Sequence, residues 1–301
     1  MKRAILFIAA GLLIVTAVFA IKPEIANEYI GNTEDAAARE VVRLTRFEGQ
    51  QIKGVSVSNA FRVELIPVSG ISQNRAIVEI DSELERHLKF NLTTDGIIEI
   101  GLEGFNSNQF NRIWNDMTRT VTVYLGQLDQ IRLTGSSSLR VSDESHTFTG
   151  NNTSVKIQGS ARIHNLNVNT EKLTVECSGS GSVTLNSRSQ ELYAQASGSG
   201  RSTLTCQVAD FAKISVSGSG GINIKGTTER AELSAAGSGT LRGEEFKVKT
   251  ATVRSAGSGG IRIWVEDSIT GSASGSGSVR YKGSPSQINV RKSGSGSVRA
   301  L

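Results

Sequence analysis

From Phe47 onward, polar and apolar residues alternate with a period of two, the pattern of strands with one buried face. Gln51 to Leu65 reads QIKGVSVSNAFRVEL, which predicts two half-buried strands around a Ser-Asn turn. Further strands are expected at Ala76 to Ile80, Phe90 to Leu92, Ile97 to Leu102 and Thr120 to Leu125, with a helical turn within Ser82 to Lys89. Gly104 to Asp116 reads as a polar loop carrying Phe105, Phe110 and Trp114, either a lid over the end of the body or an exposed contact patch. Residues 21–46 lack the alternation and predict a tether with a short helix around Glu34 to Leu44.

From Ile131 a repeat takes over. Taking the first glycine of each Gly-Ser corner as position zero, it falls at Gly135, Gly159, Gly179, Gly198, Gly218, Gly237, Gly257, Gly275 and Gly294, at intervals of 18 to 24 residues. This period is too short for two packed helices and suits one coil of a parallel β-helix. Four residues before zero stand Ile131, Val155, Val175, Ala194, Ile214, Leu233, Val253, Gly271 and Val290. Four after it stand Leu139, Ile163, Val183, Ser202, Ile222, Leu241, Ile261, Val279 and Val298. Stacked coils would bury these columns together. Glycine at zero recurs at every corner and a serine follows it each time, from Ser136 to Ser295, so a ladder of hydroxyls is a further expectation. With Asn59 set as zero, Val55, Val57, Val63 and Leu65 enter the same inward columns, so the motif SNAF reads as a diverged first corner. The fold class is therefore all-β: a β-solenoid of about nine Gly-Ser-Gly coils over residues 131–301, capped by an irregular β region over 47–130.

The segments Phe47 to Leu65, Thr120 to Leu139 (TVTVYLGQLDQIRLTGSSSL) and the terminal SGSGSVRAL resemble the head GIN domain family of auto-transporter adhesins. The resemblance covers nearly all of the chain after residue 46. It implies an exported β-helical protein with adhesion as its role. No block of membrane-spanning strands follows Leu301 in the sequence, so a complete auto-transporter is not expected.

Lys2 and Arg3 precede an apolar run from Ala4 to Val18, and Val18-Phe19-Ala20 offers a cleavage site. Residues 1–20 read as a secretory signal peptide, with an uncleaved membrane anchor as the alternative. Contact with a membrane is expected only if these residues are retained. Export places the protein in the periplasm, at the cell surface or outside the cell. The net charge of +5 and the 5% aromatic content give no clustered basic and stacking surface, so nucleic acid is not an expected partner.

Three histidines, His87, His146 and His164, show no spacing for a metal site or a catalytic triad, and no cofactor is expected. Eight residues before zero stand Glu171, Asp210, Glu229 and Asp267, but Gln190, Lys249 and Ser286 interrupt the column, and no metal site is assigned to it. Cys177 falls in an inward column and reads as a small buried hydrophobe, and Cys206 falls in another part of the coil, which disfavours a disulfide. Five residues after zero come Arg242, Arg262, Arg280 and Arg299, one per coil on the outward side. Two accounts fit this ladder. It is either a solvated face that suppresses edge and face aggregation or a grip for anionic sugars or phosphates through guanidinium contacts. The function expected is a non-enzymatic surface or envelope binding module of the adhesion type, taking a glycan, an envelope component, a protein, or a second copy at the solenoid end. The alternatives are a β-helix enzyme acting on an anionic polysaccharide and a membrane-tethered envelope sensor.

Overall fold

The computed structural model describes residues 39–105 and 114–301. The leader, most of the tether, and Phe110 lie outside the described residues. The body is a β-solenoid whose long strands lie parallel, coil over coil. They are β10 (Phe148–Gly159), β11 (Arg162–Gly179), β12 (Ser182–Gly198), β13 (Arg201–Gly218), β14 (Gly221–Gly237), β15 (Thr240–Gly257) and β16 (Gly260–Gly275). The last coils are shorter: β17 (Ser278–Lys282), β18 (Gln287–Ser293) and β19 (Ser297–Ala300). Register follows the glycine count. Gly159 pairs with Gly179, Gly179 with Gly198, Gly198 with Gly218, and the pairing continues in step to Gly257 and Gly275. The inward columns are buried as the alternation requires: Val155, Val175, Ala194, Ile214, Leu233 and Val253 on one side of the corner, and Ile163, Val183, Ile222, Leu241, Ile261 and Val279 on the other.

The corners explain why glycine recurs there. All nine glycines at position zero have φ between 80° and 106°, a region that a β-carbon penalises. At Gly218 an added Cβ would also lie 2.6 Å from the carbonyl oxygen of Gly198 in the preceding coil. That oxygen accepts from two amides, Ser219 N at 2.9 Å and Gly220 N at 2.8 Å. The same pair of bonds recurs at Gly179, Gly237 and Gly257. Backbone amides therefore form the corner ladder expected of the serine hydroxyls, while the serine side chains are exposed. The reason is geometric: with φ positive at the glycine, the next two N–H groups both aim at the coil below.

The diverged first corner is present. Gly54–Val57 is β2 and Arg62–Pro67 is β3, and Asn59 between them takes φ 69°, as asparagine does more readily than most residues. Val55 and Val57 pair with Ile131 and Leu133 of β8 (Gln130–Gly135), and Val63 and Leu65 pair with Leu139 and Val141 of β9 (Ser138–Val141). The coil beyond is made from residues later in the chain. β6 (Ile97–Leu102) lies parallel to β2, and β7 (Arg119–Leu125) lies parallel to β3. The first coil is thus held between β6–β7 and β8–β9.

The cap closes this end with antiparallel strands. β4 (Arg75–Asp81) pairs with β7, and β5 (Leu88–Leu92) pairs with β6. A single helical turn, α1 (Ser82–Glu85), presents Leu84 to the core with no exposed surface. The described part of the segment expected to be helical is instead strand: β1 (Val41–Arg46) pairs antiparallel with β4. Its backbone groups find partners in a strand 30 to 40 residues away, and that pairing overrides a weak local helix preference. Arg46 joins the two outer strands, donating to Phe90 O at 3.1 Å with its guanidinium over the Phe90 ring. Phe105 and Trp114, flanking the aromatic loop, stack with centroids 4.8 Å apart and pack partly against the core, which favours the lid over the exposed patch for these two.

Two substitutions test this account. Ile222→Asp places a carboxylate at a position 1% exposed, which costs several kcal/mol; thermal melting followed by circular dichroism should show a large drop in Tm. Gly218→Ala should cost about 1–3 kcal/mol through both the positive φ and the carbonyl clash, whereas Ser219→Ala, exposed beside it, should leave Tm nearly unchanged.

Candidate functional site

The outward rungs of the solenoid carry many charges, and several cations meet a carboxylate on a neighbouring coil. Lys156 lies 3.0 Å from Glu176, Lys213 lies 2.9 Å from Glu232, and Lys249 lies 2.7 Å from Glu229. Each such exposed pair contributes at most about 1 kcal/mol. The column five after the corner begins the same way, with Arg140 paired to Glu64 at 3.0 Å. It continues through neutral rungs, Thr184, Thr203 and Asn223. From there it becomes purely basic, as Arg242 pairs in register with Arg262, Arg262 with Arg280, and Arg280 with Arg299.

Like charges on neighbouring rungs repel. Only Arg262 has a carboxylate to offset this, Glu244 at 3.1 Å. Among the described residues Arg242, Arg280 and Arg299 have no ion-pair partner. Arg280 also holds a buried Nε with no hydrogen-bond partner. The ladder is therefore both in register and largely uncompensated.

A second column runs beside it. On β16, Arg262 and Trp264 are two residues apart and share the outward side of the strand, as do Arg280 and Lys282 on β17. Lys247 of β15 pairs with Trp264, and Trp264 pairs with Lys282. The two ammonium groups sit over the indole at 4.5 and 4.3 Å from the ring centroid, an attraction of about 0.5–1 kcal/mol at an exposed site. The ring orders both cations without neutralising them. Neither lysine has a carboxylate in ion-pair range among the described residues.

Counting from the corner does not find this column, because Lys247 is ten residues past Gly237 while Trp264 and Lys282 are seven past Gly257 and Gly275. The difference is a bulge between Gly243 and Lys247. Its three residues each have a place: Phe246 is fully buried, Glu244 reaches Arg262, and Glu245 reaches Lys225 at 2.9 Å. An i, i+2 search for aromatic residues beside the predicted arginines would have flagged Trp264.

Comparison with known proteins bears on this architecture. The family model described as "Putative auto-transporter adhesin, head GIN domain" matches residues 52–224 and 203–285. The chain belongs to the head GIN domain family. Several solved structures share its fold. A "putative lipid binding protein" from Parabacteroides distasonis is 20% identical with a TM-score of 0.63, over 87% of this chain and 96% of that one. A "putative adhesin" from the same organism is 17% identical with a TM-score of 0.60, over 87% and 98%. A "putative adhesin" from Parabacteroides merdae is 15% identical with a TM-score of 0.60, over 87% and 95%. No curated protein matches the chain.

Several of the other candidate groups in this head GIN chain have structural partners. Asp210 is paired with Arg230 at 2.9 Å and Glu229 with Lys249, so these two members of the acidic column are joined to bases across rungs. No group of three His, Cys, Asp or Glu residues converges among the described residues. His87 Nδ1 lies 3.0 Å from Glu103 O and its ring packs edge-on to Phe105, His146 packs on Phe148, and His164 is exposed. Cys177 and Cys206 are both buried and both free. Burial pushes the Cys177 thiol above its ordinary pKa and the Cys206 thiol up to about 11, with the Ser187 hydroxyl on the adjoining coil opposing part of the latter shift.

The sign of that shift sets a pH dependence. The folded state keeps Cys206 protonated while the unfolded thiol ionises at about 8.5. Stability should therefore be intact below that value and decline as pH rises toward 11, by on the order of 3 kcal/mol in total. Tm measured across this range should fall less in Cys206→Ala than in the parent chain, and Cys206 should resist alkylation until the protein is unfolded.

Proposed function

We propose that this chain is an exported, non-enzymatic binding module of the adhesion type, and that Arg242, Arg262, Arg280 and Arg299 contact an anionic glycan or envelope component. The observation that carries the reading is the run of like charge in register. On this face cations of successive coils stack on one another or on an indole, with Glu244 the one carboxylate paired to them among the described residues. Such an arrangement is held at an electrostatic cost by the stiffness of the stacked strands, and an anionic ligand relieves the cost. Guanidinium groups spaced by about 4.8 Å along the stack can each give a bidentate contact to a carboxylate, sulfate or phosphate. Family membership and the basic, apolar leader over residues 1–20 support a location beyond the cytoplasm.

Binding to a panel of immobilised acidic and neutral glycans tests the proposal. The parent protein should retain acidic glycans selectively and release them as salt is raised. Changing all four arginines to serine should weaken that binding by at least about tenfold while leaving Tm within a few degrees. Equal binding by the quadruple variant would remove the anion-grip reading.

A further inference from the structure

An open groove of about 530 Å³ runs along a different corner of the solenoid, where the pairing register shifts between Ser189 and Glu191 and again between Gln207 and Phe211. One of its walls is an outward column. Thr149 pairs with Asn169, Asn169 with Arg188, Arg188 with Gln207, and Gln207 with Thr227, one residue per coil. The Gln207 Oε1 accepts from the Thr227 hydroxyl at 2.8 Å, which orients the amide. Glu171 and Gln190 also line the groove, and Val208 and Ala209 are the apolar side chains of the lining. Ser189, also in the lining and 7% exposed, has a buried Oγ with no hydrogen-bond partner.

This column does not stop at the groove. Thr227 pairs with Lys247, Lys247 with Trp264 and Trp264 with Lys282. A stretch rich in amides and hydroxyls, with Arg188 as its one charged rung, thus leads, rung by rung, into the cationic face that carries the arginine ladder. Eight rungs at about 4.8 Å span roughly 34 Å.

We infer that the groove and the cationic face form one track for a linear acidic polysaccharide lying parallel to the solenoid axis. The inference rests on the binding-module reading and adds the shape, direction and extent of the ligand. The chemistry favours a polysaccharide over other polyanions. Side-chain amides and hydroxyls in the groove suit sugar hydroxyls, which both donate and accept. Arg188 is the single cation among the lining residues and Glu171 the single anion, so the groove has no net charge and gives little grip to a chain charged at every unit, such as a nucleic acid. Val208 and Ala209 are the two wholly apolar side chains of the lining, too few to enclose an acyl chain. The cationic rungs from Lys247 onward then hold the acidic groups, and the Trp264 edge lies between them.

Size-fractionated oligosaccharides of alternating glucuronic acid and N-acetylglucosamine, titrated against the full chain, test the track. Contacts made in series add along one chain, so affinity should rise by at least about tenfold from a tetrasaccharide to a dodecasaccharide. The exposed pair Arg188→Ala and Gln207→Ala should abolish that gain while leaving tetrasaccharide affinity and Tm unchanged. Affinity independent of length, or a gain that survives the double substitution, would overturn the track while leaving the arginine reading intact, because only the four-arginine variant should lose the tetrasaccharide. A length gain for single-stranded DNA that matches the oligosaccharides would overturn the polysaccharide assignment. No binding of any oligosaccharide would overturn the track, while binding of other acidic glycans on the panel would keep the arginine reading.

Discussion

The structure depends on the distance of closest approach between one corner and the next. A glycine carbonyl receives two amides from the coil above, and the gap this leaves has no room for a β-carbon. Every other regularity follows from that contact. Once the corners are stacked at the spacing of paired strands, residues at equal offsets from the glycine must lie over one another. Apolar offsets then bury continuous columns, and the stabilisation comes from neighbours repeating along an axis rather than from a single compact core.

The same stacking makes the surface a set of columns. A charge placed at an outward offset is brought within a few ångströms of whatever the next coil has at that offset. At several rungs the result is a pair of opposite sign, as between Lys213 and Glu232 or Lys225 and Glu245. At Arg262, Arg280 and Arg299 it is repetition of sign. A flexible surface would spread such charges apart. Here the backbone pairing holds them in place, so the unfavourable arrangement persists and is available to a partner that carries the opposite charge.

Bulges give the repeat its local chemistry. Between Gly243 and Lys247 the chain accommodates three extra residues without losing the corner register at Gly257. It uses them to fill the core with Phe246, to place two carboxylates against cations of adjoining coils, and to bring Lys247 over Trp264. A strict repeat would not have produced that contact. Insertions at bulges and corners are where a solenoid acquires a site while its inner columns stay the same.

The amino-acid sequence by itself determined the solenoid, the place of each corner, the inward columns and the alignment of the four arginines. All of these are periodic, and a period can be counted along one chain. It also marked the first corner at Asn59, because Val55, Val57, Val63 and Leu65 keep the offsets even where glycine is absent. Tertiary structure alone decided the rest. Whether β1 would be helix or strand depended on finding β4 as a partner, and the placing of β6–β7 outside β2–β3 depended on which edges remained unpaired after the chain had turned back. The Lys247–Trp264–Lys282 column and the groove beside Arg188 arise where register shifts, and a shift is a relation between two strands that neither strand's own residues record.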